Sequence, residues 1–251
     1  MLFSIVTYKL KQTTAYSQPS THKICRPMKQ EKKQTLRIGL LMVTACMTIG
    51  VLHAQNVTLP YFCGFEDDAE NANWVINAGS ASIVSRLTTT WVISTAAHKS
   101  GFRSMYVCPN GDASVAAYDG DAVANVVSYR DFTGLTSGTY DLTFHWRALG
   151  DGTADKLNVY WMPSTISPTS TITTIPTSYS TYLLGSFSGK ASWQFVRTTV
   201  NVQTGVNYRL VFIWTNNATN TFNPGGCVDN VQLNLSSTGC NSVPTNLRAS
   251  A

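Results

Sequence analysis

The chain has 251 residues and a formal charge of +5, but the positive excess sits in its first 54 residues. Eight Lys and Arg and one Glu precede Gln55, whereas ten Lys and Arg stand against twelve Asp and Glu from Gln55 onward, a net charge of −2. That balance excludes an electrostatic nucleic-acid binder, and the 197 residues from Gln55 suffice for one well-cored domain.

The chain opens with a leader. "MKQEKKQTLR" from Met28 reads as a basic n-region, "IGLLMVTACMTIGVL" as an apolar h-region and "LHA" before Gln55 as a cleavage site. Residues 28–54 are therefore expected to be a signal peptide, and residues 1–27 an over-extended gene start. A second reading takes "VTAC" (Val43–Cys46) as a lipidation site at Cys46. The apolar run is too short for a stable span, so the mature chain is expected to be exported, extracellular or associated with the outer membrane, with no transmembrane segment.

The mature chain begins with "LPYFCGFEDDAENANW". Phe62 and Phe65 suit the core side of a first strand, and Gly64 suits a bulge. "TYDLTFHWRAL" puts Tyr140, Leu142, Phe144 and Trp146 on one face and Asp141, Thr143, His145 and Arg147 on the other. This period of two marks a half-buried strand. "KLNVYWM" repeats it with Leu157, Val159 and Trp161. "Met162–Ser180", rich in Ser, Thr and Pro, reads as a long mobile loop at one end of a sandwich. "SWQFVRTTVNV" and "CVDNVQLNL" are further strands. "GVNYRLVFIW" is apolar on both faces, as in a central covered strand. Turn signals fall between these runs, and no helical period persists. The fold class is all-β, with strand spacing of a sandwich.

Four cysteines follow the cleavage site: Cys63, Cys108, Cys227 and Cys240. In an oxidising compartment they predict two disulfides with three possible connectivities. Cys63 and Cys240 bracket the domain, while Cys108 and Cys227 adjoin a middle and the last strand. The expected pairs are thus Cys63–Cys240 and Cys108–Cys227.

The ordered segments "YFCGFED…NANW", "SYRDF…GTYDLTFHWRALGDGTADKLNVYWMP" and "YRLVFIWTNN…GGCVDNVQL" resemble a bacterial module of the meprin-type adhesion (MAM) and cleaved-adhesin kind, found in exported Bacteroidetes proteins. The resemblance implies a concanavalin-like jelly-roll β-sandwich over residues 55–238. The tail "CNSVPTNLRAS" resembles the truncated start of a fibronectin type III domain, so residues 239–251 read as a linker and the beginning of a further domain. The cysteine placement departs from the eukaryotic pattern, so that family's disulfides and homophilic partners are not carried over.

Catalysis finds little support. A glycosidase needs a carboxylate pair flanking the scissile bond, but the mature chain has only Glu66 and Glu70 as glutamates, neither in a central alternating strand. His145 lies on the polar face of its strand, and no G-x-S-x-G elbow exists. If the first and last strands run side by side, Glu66 and Asp229 come together, with Asp68 as the third candidate. Two carboxylates in one place favour a cation, and related adhesin-type modules imply a structural Ca2+ there. Trp91, Trp161 and Tyr179 adjoin turns or the Ser/Thr loop and are the candidate rings for stacking on a sugar. The expected function is non-catalytic adhesion to a glycan or to a host or matrix protein. An accessory domain of an exported hydrolase and a structural spacer are the alternatives.

Overall fold

The computed structural model describes residues 56–236. The expected signal peptide, the alternative lipidation at Cys46, Cys240 and the expected fibronectin-like tail all fall outside the described residues. Within them the chain forms a jelly-roll β-sandwich of two antiparallel sheets. The strands are β1 (Tyr61–Cys63), β2 (Trp74–Val75), β3 (Thr89–Ser94), β4 (Ser104–Pro109), β5 (Ala124–Phe132), β6 (Gly138–Ala148), β7 (Lys156–Pro163), β8 (Leu183–Phe187), β9 (Lys190–Val202), β10 (Tyr208–Asn216) and β11 (Cys227–Leu235). One sheet has six strands in the order β3-β4-β11-β6-β9, with β1 also paired to β11; the other has five in the order β2-β5-β10-β7-β8. First and last strands do run side by side, with Cys63 opposite Val231.

The period-two pattern sets the core. Tyr140, Leu142, Phe144 and Trp146 of β6 all point between the sheets and meet Leu157 and Val159 of β7 and Leu210, Phe212 and Trp214 of β10. Phe144 packs edge-on against Phe212, with ring centres 5.6 Å apart. Burying each such side chain contributes roughly 1.5–3 kcal/mol. One polar exception lies on the inner side. Arg130 of β5 is buried and pairs with Glu70 of the short helix Asp68–Asn71 at 2.8 Å, and the Tyr61 hydroxyl donates to the same carboxylate. A buried arginine requires such a partner, so one of the two mature glutamates is a structural counter-ion.

Every residue of β10 is buried, as its two apolar faces predict. The second face is covered by the Ser/Thr/Pro segment itself, which corrects the expectation of a mobile loop. Ile166, Ile175, Tyr179 and Tyr182 pack on Tyr160, Met162, Val211 and Ile213. The Ser170 hydroxyl accepts the Val127 N–H, and Thr171 bridges Asn125. The segment is a strap across the five-stranded sheet, and its scattered apolar residues are what hold it there.

Candidate functional site

The three rings selected from sequence are placed inward. Trp91 is 1% exposed, and its indole N–H donates to the Val126 carbonyl at 2.8 Å. It is a core residue with no free face. Trp161 is also buried and stacks on Tyr208, ring centres 5.3 Å apart and planes 5° from parallel. Tyr179, part of the strap, is buried against Tyr160 of the sheet. Large rings supply most of a sandwich's buried area, and proximity to a turn did not outweigh that.

Glu66 and Asp229 do approach each other, but around a loop. Asp229 is fully buried, and its carboxylate accepts the N–H groups of Lys99 (2.7 Å), Ser100 (3.2 Å) and Asn230 (2.7 Å). Glu66 accepts those of Phe102 (2.8 Å) and Arg103 (2.7 Å). Gly101 lies between them at φ +66°, where any side chain would run into the Glu66 carboxylate. Burial pushes the Asp229 carboxyl above its ordinary range, against those N–H bonds. For Glu66 the slight burial acts upward, but the Arg103 and Phe102 N–H groups outweigh it and hold the carboxyl low. Asp68 turns away to an ion pair with Arg103. The expected calcium ligands therefore do not converge as a trio, and no group of three or more His, Cys, Asp or Glu able to hold a metal is found among the described residues. The positive partners these carboxylates need are mostly the chain's own amides.

Cys63, Cys108 and Cys227 are buried free thiols, so the expected Cys108–Cys227 bridge is not formed in this structure. Tyr106, not Cys108, lies opposite Cys227. The two sulfurs thus occupy offset positions of the same cluster rather than a facing pair. Cys63 belongs to the inner core, and its expected partner Cys240 is outside the described residues.

The two outer sheet faces differ. On the five-stranded sheet, the strap leaves a cleft of about 420 Å³ that includes Lys156, Asn158, Tyr160, Thr173 and Thr215. A second cleft of about 500 Å³ opens beside Trp161, Tyr182 and Tyr208. On the six-stranded sheet, Ala97, Ala116 and Trp193 cover the end that carries Tyr106, Cys108 and Cys227, and the loop at Lys99 and Ser100 covers Asp229. The face is open towards β9, and its strand register orders the outward side chains into rows. Phe62, Gln232, Thr143 and Arg197 form one row; Asp229, His145 and Phe195 form the next; Cys227 and Arg147 form a third. Phe195 is 59% exposed and Phe62 58%. The Arg147 guanidinium lies over the Trp193 ring, 5.3 Å from its centre, and the His145 ring meets Phe195 at 5.2 Å.

Two polar atoms on this face lack partners. His145 Nδ1 and Arg147 Nε are shielded from solvent and make no hydrogen bond. Desolvation, with Lys99 nearby, holds the His145 imidazole below its usual pKa. A sheet face carrying exposed rings, polar hydroxyls and unspent donors can hold an amphipathic ligand flat against it. Sequence reading placed His145 and Arg147 on the outward face, missed Trp193 and Phe195, and set Phe62 on the core side. The structure corrects this, because Tyr61 and Cys63 take the inward positions of β1 and leave Phe62 outward. The available signal was the alternation in "SWQFVR", whose phase alone does not say which side is core.

No protein-family model matches the chain, and no curated protein is similar to it. Solved structures with related topology include the xylan-binding domain of a Paenibacillus barcinonensis protein, 10% identical over 72% of this chain and 97% of that one, with a TM-score of 0.40. Another is a family 11 carbohydrate-binding module from Clostridium thermocellum in complex with a mixed-linked tetrasaccharide, 12% identical over 69% and 94%, TM-score 0.39. A Stig cyclase from Fischerella sp. TAU is 13% identical over 68% and 92%, TM-score 0.41.

Proposed function

We propose that this chain is an exported, non-catalytic glycan-binding module whose ligand lies on the outer face of the six-stranded sheet. The observation that carries this reading is the juxtaposition of Trp193, Phe195, His145 and Arg147 on the part of that face left open towards β9. Rings offer apolar faces to the C–H side of a sugar, and the flanking donors meet its hydroxyls. Same-face residues along a strand are about 7 Å apart, a spacing comparable with one hexose unit.

The non-catalytic part rests on the state of the carboxylates. Among the described residues, every Asp and Glu except Asp121 accepts a hydrogen bond or ion pair within the fold. Asp121 lies beside Asp119 in a turn outside the strands. Export rests on the leader read from the sequence.

A broad oligosaccharide array tests the reading. The chain is expected to be retained by at least one glycan, and the Trp193→Ala/Phe195→Ala double variant to lose that retention while remaining folded. Retention unchanged in the double variant moves the site elsewhere. No retention on the whole array supports the spacer role instead.

A further inference from the structure

Arg147 and the exposed Arg86 are the two arginines of the described residues that have no carboxylate partner. Arg103, Arg130, Arg197 and Arg209 each pair with a carboxylate. Arg147 pairs with none; it lies on Trp193, and its Nε, although shielded from water, donates to nothing. A guanidinium carries five donors in a planar fork matched to carboxylate and sulfate oxygens, and a shielded donor left unused costs free energy until a ligand meets it.

The groups around Arg147 do not neutralise it. Cys227 is its cross-strand neighbour and lies within reach of the Arg147 guanidinium; burial outweighs that cation and pushes the thiol up to about 11, so it stays uncharged. In the next row, Asp229 spends its oxygens on the Lys99, Ser100 and Asn230 amides. Asp141, further along β6, is taken by Arg197 and the Ser236 hydroxyl. His145 stands in the Asp229 row with Nδ1 unpartnered. Lys99, exposed on the loop that Asp229 holds, adds a second cation with no ion pair among the described residues. The face therefore offers a positive fork with no carboxylate partner beside a pair of rings.

We propose that the face recognises an anionic saccharide, with the acidic group of one sugar seated on Arg147 and the sugar rings laid along Trp193 and Phe195. This rests on the glycan-binding reading and specifies its ligand class. Bidentate Arg–oxyanion bonds in a partly desolvated setting are the strong kind. The Trp193 ring fixes the plane in which the fork presents itself.

Calorimetric titration of the chain tests this with four probes: trigalacturonate, a hyaluronan tetrasaccharide, a sulfated galactose trisaccharide, and the fully methyl-esterified trigalacturonate. The ester keeps the backbone and removes the charge. At least one acidic probe is expected to bind about tenfold or more tightly than the ester, with affinity falling as salt rises. Carboxylate and sulfate sources are separated by which of those probes binds. Arg147→Gln is expected to weaken that binding about tenfold or more. Lys99→Gln, which keeps the backbone amide on Asp229, should weaken it about two- to fivefold even if Arg147→Gln folds poorly. Equal binding of ester and acid, or no loss in Lys99→Gln and no salt dependence, overturns the anionic assignment and leaves the glycan reading standing. Failure of every acidic probe while neutral glycans bind on the array overturns it as well. Failure of all sugars overturns both.

Discussion

The guanidinium of Arg147 on β6 lies over the indole of Trp193 near the start of β9, its central carbon 5.3 Å from the ring centre. The contact crosses the place where the β6–β9 register shifts, between Trp146 and Ala148. A bulge re-aims the side chains around it, and here both groups remain on the outer face, where Trp193 also packs against the Tyr106, Cys108 and Cys227 cluster.

That contact should be measurable without a ligand. A cation–π pair at a partly exposed site contributes about 0.5–2 kcal/mol. A double-mutant cycle with Arg147→Gln and Trp193→Ala, read by chemical denaturation, is expected to show a coupling energy of that size. A coupling near zero would mean the two groups are merely adjacent, and the orienting role given to the Trp193 ring would fall.

Trp91 gives the opposite expectation. It is fully packed, and its N–H is used. Trp91→Ala should cost about 3–5 kcal/mol of stability, with any binding defect following from unfolding. Phe195→Ala, at a ring already 59% exposed, should change the melting temperature little and affect binding directly. Thermal melts of the two variants side by side separate core ring from surface ring.

Asp229 and Glu66 together hold the loop from Lys99 to Arg103. Replacing Asp229 by Asn turns one of its two acceptor oxygens into a donor, which then faces either the Lys99 and Ser100 amides or the Asn230 amide, at a cost of about 1–3 kcal/mol. Amide exchange at Lys99 and Ser100 should accelerate in that variant. Because these carboxylates are already met by backbone N–H groups, the melting temperature is expected to be the same in calcium and in chelator. A rise with calcium that vanishes in Asp229→Ala would reinstate the metal expected from the sequence.

His145 predicts a pH dependence. Desolvation and the nearby Lys99 hold its folded pKa below the ordinary value of 6.5. The fold thus favours the neutral ring. Its contribution is intact above the unfolded value and is lost as pH falls from 6.5 through the lower folded pKa. Stability measured between about pH 7 and pH 5 should decline less steeply in His145→Gln than in the parent chain. Identical slopes would show that His145 is not the group responsible.

What the sequence disclosed, and what it withheld, follows from the range of the interactions. The inward phase of β6 was legible because Tyr140, Leu142, Phe144 and Trp146 alternate with polar residues, and local alternation is all that face selection requires there. The covered state of β10 was legible for the same reason, since Val211 and Ile213 made its second face apolar. The strap was misread because its charge-poor Ser/Thr background hides Ile166, Ile175, Tyr179 and Tyr182, whose burial depends on a sheet face distant in sequence. In β9 both phases carry apolar residues, so Trp193 and Phe195 were as easily core as surface until pairing with β6 fixed the phase. The approach of Glu66 to Asp229 was foreseeable from strand adjacency. The loop between them was not, because its amides carry no side-chain signature.

The central claim, that the ligand lies on the outer face of the six-stranded sheet, is tested most directly by mapping it with nitrogen-labelled protein and a saccharide that the array retains. The indole N–H of Trp193 and the Nε–H of Arg147 should shift progressively during titration, together with the amides of Phe195 and His145, while the signals of Trp91 and Trp161 stay in place. Shifts gathered instead around Lys156, Asn158 and Tyr160 in the strap cleft, with Trp193 and Arg147 unmoved, would contradict it.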